Sequence, residues 1–267
     1  TRRCSDLLTL RVNTQKTSRD SLTSAFSAAG IASEYTPLSP DGILIPSVPL
    51  RALPGFEQGA FFVQDEASQL CVRALGAEPG MTVADVCSAP GSKSFGTALE
   101  MKNLGDIHSF DLHKSKLSLI RSGAERLGID IIFAEQRDAR VPDASLMGRC
   151  DRVLCDVPCS GFGVIGKKPE IRYKSLTDAA GLPTVQYDIL EMSRLYLKPG
   201  GILVYSTCTL LPEENEGVIS KFLSNHDDFE LSSFAAGGLE VPDGMITLAP
   251  HTHGTDGFFI ARLTLKR

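Results

Sequence analysis

Two cysteines in this chain could do chemistry together. Cys159 stands in Asp156-Val157-Pro158-Cys159-Ser160-Gly161, and Cys208 stands in Tyr205-Ser206-Thr207-Cys208-Thr209. Each follows an apolar run that reads as a strand, Arg152 to Cys155 for the first and Ile202 to Tyr205 for the second. Loops at the ends of adjacent parallel strands would place both thiols in one cleft. One thiolate can then attack a carbon while the other assists release of the product. Such chemistry matters most for an inert carbon, of which C5 of a pyrimidine is an example.

Three carboxylates read as neighbours of that cleft. Asp111 ends a strand about 20 residues past a small-residue turn, a place where an acid commonly accepts ribose hydroxyls. Asp138 and Asp156 follow the next two strands. Each alone could be a helix cap or a surface charge. At successive strand ends they form a row of nucleoside size. The turn itself is Cys87-Ser88-Ala89-Pro90-Gly91-Ser92-Lys93. Its small residues let backbone N–H groups approach a ligand at a helix start. It has neither the Gly-x4-Gly-Lys spacing of a phosphate loop nor the Gly-x-Gly-x-x-Gly dinucleotide turn. A nucleoside site without a phosphate cradle suits S-adenosylmethionine.

These groups need a scaffold, and the periodicity supplies one. Strands are expected at Met81 to Val86, Asp106 to Phe110, Ile129 to Phe133, Asp151 to Cys155 and Ile202 to Tyr205. Helices are expected at Ser92 to Met101, Lys114 to Leu127, Thr184 to Leu197 and Pro212 to Leu223, with Phe258 to Leu263 as a closing strand. Lys198-Pro199-Gly200-Gly201 reads as the stop of the third helix. This alternation predicts an α/β domain with a parallel sheet covered on both faces. Right-handed crossovers then put all strand C-termini on one edge, where ligands bind. The opening part reads as a small α+β domain over residues 1–75. It has a strand at Leu8 to Val12, a helix at Ser18 to Ala29, a short strand at Ile43 to Ile45, another at Phe61 to Val63, and a helix at Asp65 to Leu75.

Composition narrows the classes. The chain has 267 residues, 42 % apolar and 22 % charged, with a net charge of −5. That argues against holding nucleic acid by bulk charge and leaves room for a local basic strip. One candidate strip is Lys167, Lys168, Arg172 and Lys174; another is Arg2, Arg3, Arg11, Lys16 and Arg19. Seven cysteines in a chain of this size suggest free thiols in a reducing, cytoplasmic setting rather than a disulfide scaffold. Cys4, Cys71, Cys150 and Cys155 read as small apolar fillers. Cys150, Cys155 and Cys159 lack paired zinc-ligand spacing, so no metal is expected. His251 and His253 read as exposed loop residues. No apolar run reaches the roughly 18–20 residues that span a bilayer. No secretory signal is expected, and because the chain opens on Thr1 an upstream part is expected to be missing.

The two cysteine motifs resemble the Sun/Nol family of RNA cytosine-C5 methyltransferases, most closely its bacterial branch acting on small-subunit ribosomal RNA. Further landmarks carry the likeness: Leu10-Arg11-Val12-Asn13, Val63-Gln64-Asp65-Glu66-Ala67-Ser68, Cys87 to Lys93, Leu211-Pro212-Glu213-Glu214-Asn215-Glu216 and Asp256-Gly257-Phe258-Phe259-Ile260. The family usually has Gly where Ser92 stands and Thr where Ser94 stands.

The resemblance implies a seven-stranded, Rossmann-like class I methyltransferase domain over residues 76–267, preceded by a small RNA-recognition-like domain. It implies S-adenosylmethionine as cofactor and RNA as partner, with ribosomal RNA preferred over tRNA. Cys208 is then the attacking thiol and Cys159 assists release. Asp156 is the acid near N3 of the base. Asp111 and Asp138 contact ribose and adenine, and Cys87 to Lys93 surround the methionine moiety. Lys167, Lys168, Arg172 and Lys174, directly after Cys159, are expected to meet RNA phosphates. The protein is expected to act as a monomer, away from membranes. Two rival readings are an enzyme that attacks through Cys159, as DNA cytosine-C5 methyltransferases do, and a non-catalytic RNA-binding assembly factor on the same fold.

Overall fold

The computed structural model describes residues 7–267. Arg2, Arg3 and Cys4 lie outside the described residues. Four short strands make the first sheet: β1 (Leu7–Val12), β2 (Glu34–Tyr35), β3 (Gly42–Pro46) and β4 (Phe61–Val63), in antiparallel order β2-β3-β1-β4. Helix α1 (Arg19–Ala28) starts where the Ser18 hydroxyl accepts from the Ser21 amide at 3.1 Å, an N-cap. Its Leu22 and Phe26 pack with Leu10, Val12, Ile43, Ile45 and Phe61 into a separate small core.

Helix α2 (Glu66–Leu75) begins with Asp65 as its cap and ends at the left-handed Gly76. The sequence reading attaches it to the first domain. Its Ala67, Leu70, Cys71, Ala74 and Leu75 instead join the core of the larger sheet. It is amphipathic toward that sheet, so it couples the two layers.

The larger sheet is built by β5 (Thr82–Asp85), α3 (Ser92–Glu100), β6 (Asp106–Asp111), α4 (Leu117–Leu127), β7 (Ile132–Gln136), β8 (Cys150–Asp156), α5 (Leu176–Ala179), α6 (Leu182–Ser193), β9 (Leu197–Thr207) and α7 (Glu216–Asn225). It is completed by β10 (Phe229–Leu231), β13 (Met245–Leu248), α8 (Pro250–His253) and β14 (Phe258–Leu265), while β11 (Phe234–Ala236) and β12 (Leu239–Val241) pair only with each other as a separate hairpin. Strand order is β10-β14-β9-β8-β5-β6-β7, with β13 added beside β14. The pairs β5–β6, β6–β7, β5–β8 and β8–β9 are parallel, and β14 runs antiparallel to β9. The chain starts in the middle, winds out one way through β6 and β7, then returns to build β8 and β9 on the other side. The crevice lies at that reversal, between β5 and β8.

Three departures from the sequence reading have local causes. The strand expected at Ile129 to Phe133 is shifted to Ile132–Gln136, because Ile129 closes α4 by donating its amide to Ala124. Lys198-Pro199-Gly200-Gly201 does not merely stop a helix; these residues lie within β9, beside an irregularity in its pairing with β8. The helix expected from Pro212 begins only at Glu216, since Pro212, Glu213 and Glu214 form a turn. Arg11 is a further correction. It is not part of an RNA-facing strip but is buried, 2.5 Å from Glu100 and 3.4 Å from Gln64. Lys16 likewise donates to the Gln58 and Arg126 carbonyls. His253 is half-buried in α8, accepting from the Ala249 amide.

Candidate active site

β8 and β9 run in register, with Cys155 opposite Tyr205 and Asp156 opposite Ser206. The loops that follow therefore leave the sheet together. Cys159 Sγ and Cys208 Sγ come to 3.0 Å, and the Cys208 amide donates to Cys159 Sγ at 3.2 Å. The apposition expected from the two motifs is thus present. Two thiols this close share a proton. The hydrogen bond from Cys159, aided by the cations of Lys93 and Lys168, lowers the pKa of Cys208 against its burial and the charge of Asp156. The same bond and burial push Cys159 upward. Cys208 is accordingly the thiol that ionises first, while Cys159 keeps its proton.

Beside the thiols, Lys93 Nζ donates to Asp156 Oδ2 at 2.7 Å and Ser206 Oγ donates to Asp156 Oδ1 at 2.8 Å. Burial alone would depress the lysine, but Asp156 more than compensates and holds it above the ordinary ammonium range. Lys93 also lies over the Phe258 ring at 5.1 Å. Lys93 sits on the first turn of α3, and Gly91 makes that turn possible. Its φ is +109°, and a Cβ there would meet the Phe95 ring at 2.6 Å. Below it, Asp85 is buried, accepting from Ser94 Oγ at 2.6 Å. Burial pushes its carboxyl up to about 7, although the Ser94 bond opposes this. Its Oδ1 has no hydrogen-bond partner.

A cleft of about 510 Å³ runs from the thiols toward β6 and β7. Cys87, Ala89, Asp111, Asp138, Asp156, Cys159 and Cys208 line it. Asp111 Oδ1 accepts from the His113 amide at 2.8 Å, and Lys116 stands 3.9 Å away. Asp138 is clasped by Arg140 through bonds of 3.0 and 2.7 Å, which hold its carboxyl below the usual range. Ser88, Pro90, Gly91, Ser92 and Lys93 do not line this cleft. Ser88 Oγ donates to the Phe110 carbonyl, and the Ser92 carbonyl accepts from Gln64. Among the described residues no group of three or more His, Cys, Asp or Glu could hold a metal ion, and no helix is long and apolar enough to cross a membrane.

The basic segment after Cys159 divides. Lys167 pairs with Asp65 at 2.5 Å and Asp256 at 2.7 Å, tying the segment to α2 and to the start of β14. Lys174 donates to the Ser160 carbonyl at 3.0 Å. Lys168 and Arg172 are exposed, and Tyr173 beside them is 91 % exposed. The segment is pinned where Gly163 donates to the Cys208 carbonyl and accepts from Gly257. A Cβ at Gly163 would fall 2.1 Å from the Gly257 carbonyl oxygen.

Sequence reasoning missed the groups behind the thiols: Ser160, Gln186, Thr207, Thr209, Glu214, Asn215 and Ser206. Four lie in the cysteine motifs, two in Leu211 to Glu216, and Gln186 in α6. Their polar types at buried positions, unneeded by the helix pattern, are the signal that could have found them.

A parallel sheet of this order, with a nucleoside-sized cleft at its switch point and two apposed thiols at adjacent strand ends, defines a methyltransferase-fold domain with a dithiol site. The chain belongs to the 16S rRNA methyltransferase RsmB/F family, whose model matches residues 72–264. A second model, for the ferredoxin-like domain of RsmF/B-like methyltransferases, matches residues 5–49. The chain is 42 % identical over 266 residues to the probable ribosomal RNA small subunit methyltransferase B of Bacillus subtilis strain 168, covering 97 % of this chain and 60 % of that protein. It is 38 % identical over 261 residues to the ribosomal RNA small subunit methyltransferase B of Klebsiella pneumoniae strain 342, covering 97 % and 59 %. A solved methyltransferase homolog protein from Pyrococcus horikoshii superposes with a TM-score of 0.81 at 31 % identity, covering 98 % of this chain and 87 % of that one. The chain therefore spans about 60 % of the length of the curated relatives it matches.

Proposed function

We propose that this protein transfers a methyl group from S-adenosylmethionine to C5 of a cytosine in RNA, with small-subunit ribosomal RNA as the preferred substrate and tRNA as the second choice. The observation that carries this reading is the 3.0 Å apposition of Cys159 and Cys208 beside the Lys93–Asp156 pair. Family membership and the names of the curated relatives support the choice of ribosomal RNA.

The cofactor, when bound, supplies an electrophilic methyl group. The cleft fits such a molecule: Asp111 and Asp138 would take the ribose and adenine, and no phosphate loop is present. The chain's own residues do the rest. Cys208 passes its proton toward solvent or a neighbour and attacks C6 of the cytosine as a thiolate. Attack breaks the ring's conjugation and gives C5 enamine character. Asp156, bridged to Lys93 and Ser206, is the acid on the N3 side of the base in this reading: as negative charge builds at N3 it would pass on a proton relayed from Lys93 and take it back when the ring is restored. After methylation C5 gives its proton to a base, which solvent can supply; the C5–H electron pair restores the double bond and expels Cys208 from C6, and Cys159 hands the departing thiolate a proton and recovers one from solvent. The base must leave its stack to reach the thiols.

Residues 76–267 form the transfer domain in this reading, and residues 1–75 form the RNA-presenting domain, joined through α2. Lys168 and Arg172 would meet phosphates near the target, while Lys167 and Lys174 chiefly hold the segment in place. We take the protein to act as a soluble monomer in the cytoplasm. The test is methyl transfer by Cys208→Ala with cofactor binding measured in parallel. Undiminished transfer by that variant sinks the assignment of the nucleophile.

A further inference from the structure

Two consecutive residues, Glu214 and Asn215, each hold one of the two thiol loops, and neither is used by the chemistry above. Asn215 accepts from Thr207 Oγ1 at 2.6 Å and donates from Nδ2 to the Thr209 carbonyl at 3.1 Å. Those partners are the two chain neighbours of Cys208. Glu214 Oε2 accepts from the Ser160 amide at 3.0 Å and from Gln186 Nε2 at 2.7 Å; that same Gln186 nitrogen lies 3.0 Å from the Pro158 carbonyl. Those partners are the two chain neighbours of Cys159. The side-chain clasp on the neighbours of Cys159 is thus Glu214 with Gln186, and that on both neighbours of Cys208 is Asn215, while Gly163 also holds the Cys208 carbonyl. Ser160 Oγ and Thr209 Oγ1 share a hydrogen bond at 2.7 Å and join the two loops. Tyr205 donates its hydroxyl to the Glu214 carbonyl at 2.6 Å, fixing the turn that presents both residues.

Local stability would not choose this arrangement. Asn215 occupies the cap position of α7, where an asparagine oxygen ordinarily accepts from the helix's first amides. It makes no such bond. Its side chain is spent on the Cys208 loop instead. Glu214 is only 1 % exposed and its Oε1 has no hydrogen-bond partner; the Gln186 Oε1 is likewise buried without one. Buried orphan acceptors destabilise a fold. Both residues therefore trade stability for the fixed placement of a thiol.

We infer that Asn215 is the positioning residue for Cys208 and Glu214, through Gln186, the positioning residue for Cys159, so that attack and release are set by separate clasps on one turn. The assignment of attack and release rests on the proposed reaction; the separation of the clasps does not. Each clasp should therefore be felt by one thiol more than by the other.

Site-resolved alkylation of the whole chain with iodoacetamide, read by peptide mass spectrometry, tests the separation. Asn215→Ala should change the rate at Cys208 about tenfold and that at Cys159 far less, with Glu214→Ala showing the reverse, as expected for sub-ångström displacement of a reacting group. Glu214→Gln keeps an acceptor oxygen and should keep the wild-type pattern. Thr207→Val removes one bond without changing the side chain's shape and should repeat the direction of Asn215→Ala, guarding against misfolding of the larger change. On RNA with S-adenosylmethionine, Asn215→Ala should lower both the covalent adduct and the product. Glu214→Ala should keep the adduct and lower released product. Equal changes at both thiols in both alanine variants, or no change at either, overturn the inference. If the wild type transfers no methyl group, the proposed reaction falls while the alkylation pattern still decides the clasps.

Discussion

The two ends of the cleft are built on different principles. At the thiol end, the supporting polar groups are bound within the protein, and Lys93, Ser206, Glu214 and Asn215 are buried. Asp156 has two partners, Lys93 and Ser206, and the flanks of both cysteines are clasped from behind. At the end proposed to take the cofactor, Asp111 is buried with Lys116 near it, and Asp138, partly exposed, is covered by the exposed Arg140. Burial makes electrostatics strong and geometry fixed; exposure screens charge and lets side chains swing. In the proposed reaction the thiol end would be preset for bond making, and the other end would release Asp138 from Arg140 to take a ligand. Substitutions should therefore cost much more at the first end than at the second.

The largest effect is expected at Cys208. Cys208→Ala should lower methyl transfer by more than about 10³-fold, in line with loss of a covalent nucleophile. Cofactor affinity, measured by calorimetric titration, should change little. Next, Cys159→Ala should allow attack but stall release, so a protein–RNA adduct should persist on a denaturing gel. Full turnover without that band would leave Cys159 no release role.

Asp156→Asn comes third. It leaves Lys93 buried beside a neutral amide, and breaking a buried pair costs on the order of 3 kcal/mol when one charge is stranded. Because Asp156 is partly exposed, the stability loss should fall below that figure. Thermal unfolding should show it together with a fall in transfer. The same pair enters the pH dependence of Cys208. Its lowered pKa means the thiolate forms at lower pH than for an ordinary cysteine, so alkylation at Cys208 should rise before that at Cys159 as pH increases. Lys93→Met removes one of the cations responsible and should move the Cys208 midpoint upward. A midpoint unmoved by Lys93→Met would remove Lys93 from the account.

The smallest effect belongs to the other end of the cleft. Asp138→Asn should raise the cofactor KM about tenfold or less, since one partly exposed hydrogen bond is at stake, and should leave kcat nearly unchanged. A loss at Asp138 equal to that at Asp156 would erase the contrast between the two ends.

The same contrast explains what could be read from the sequence. The order of strands and helices around the large sheet was legible, because burial of a parallel sheet imposes long apolar runs separated by amphipathic helices. The cysteine pair was legible because each motif abuts such a run. Short edge pieces such as β10 and β13 carry no repeating pattern, and their pairing with β14 depends on tertiary contacts. Arg11 was misread because charge alone does not announce burial; only the folded chain brings Glu100 and Asp41 to it. Lys167 and Lys174 likewise had the composition of a phosphate-binding strip, yet they hold the segment to the fold. The clasps of Glu214 and Asn215 join residues more than fifty positions apart in one case and only eight in the other, and no local period records either.

The most direct test of the central claim is methyl transfer from tritiated S-adenosylmethionine to unmodified small-subunit ribosomal RNA, with tRNA in a parallel lane and Cys208→Ala beside the wild type. After digestion to nucleosides, the account predicts label in 5-methylcytidine from the ribosomal lane with the wild type and none with Cys208→Ala. Equal label from both proteins, or wild-type label in a nucleoside other than 5-methylcytidine, would contradict it.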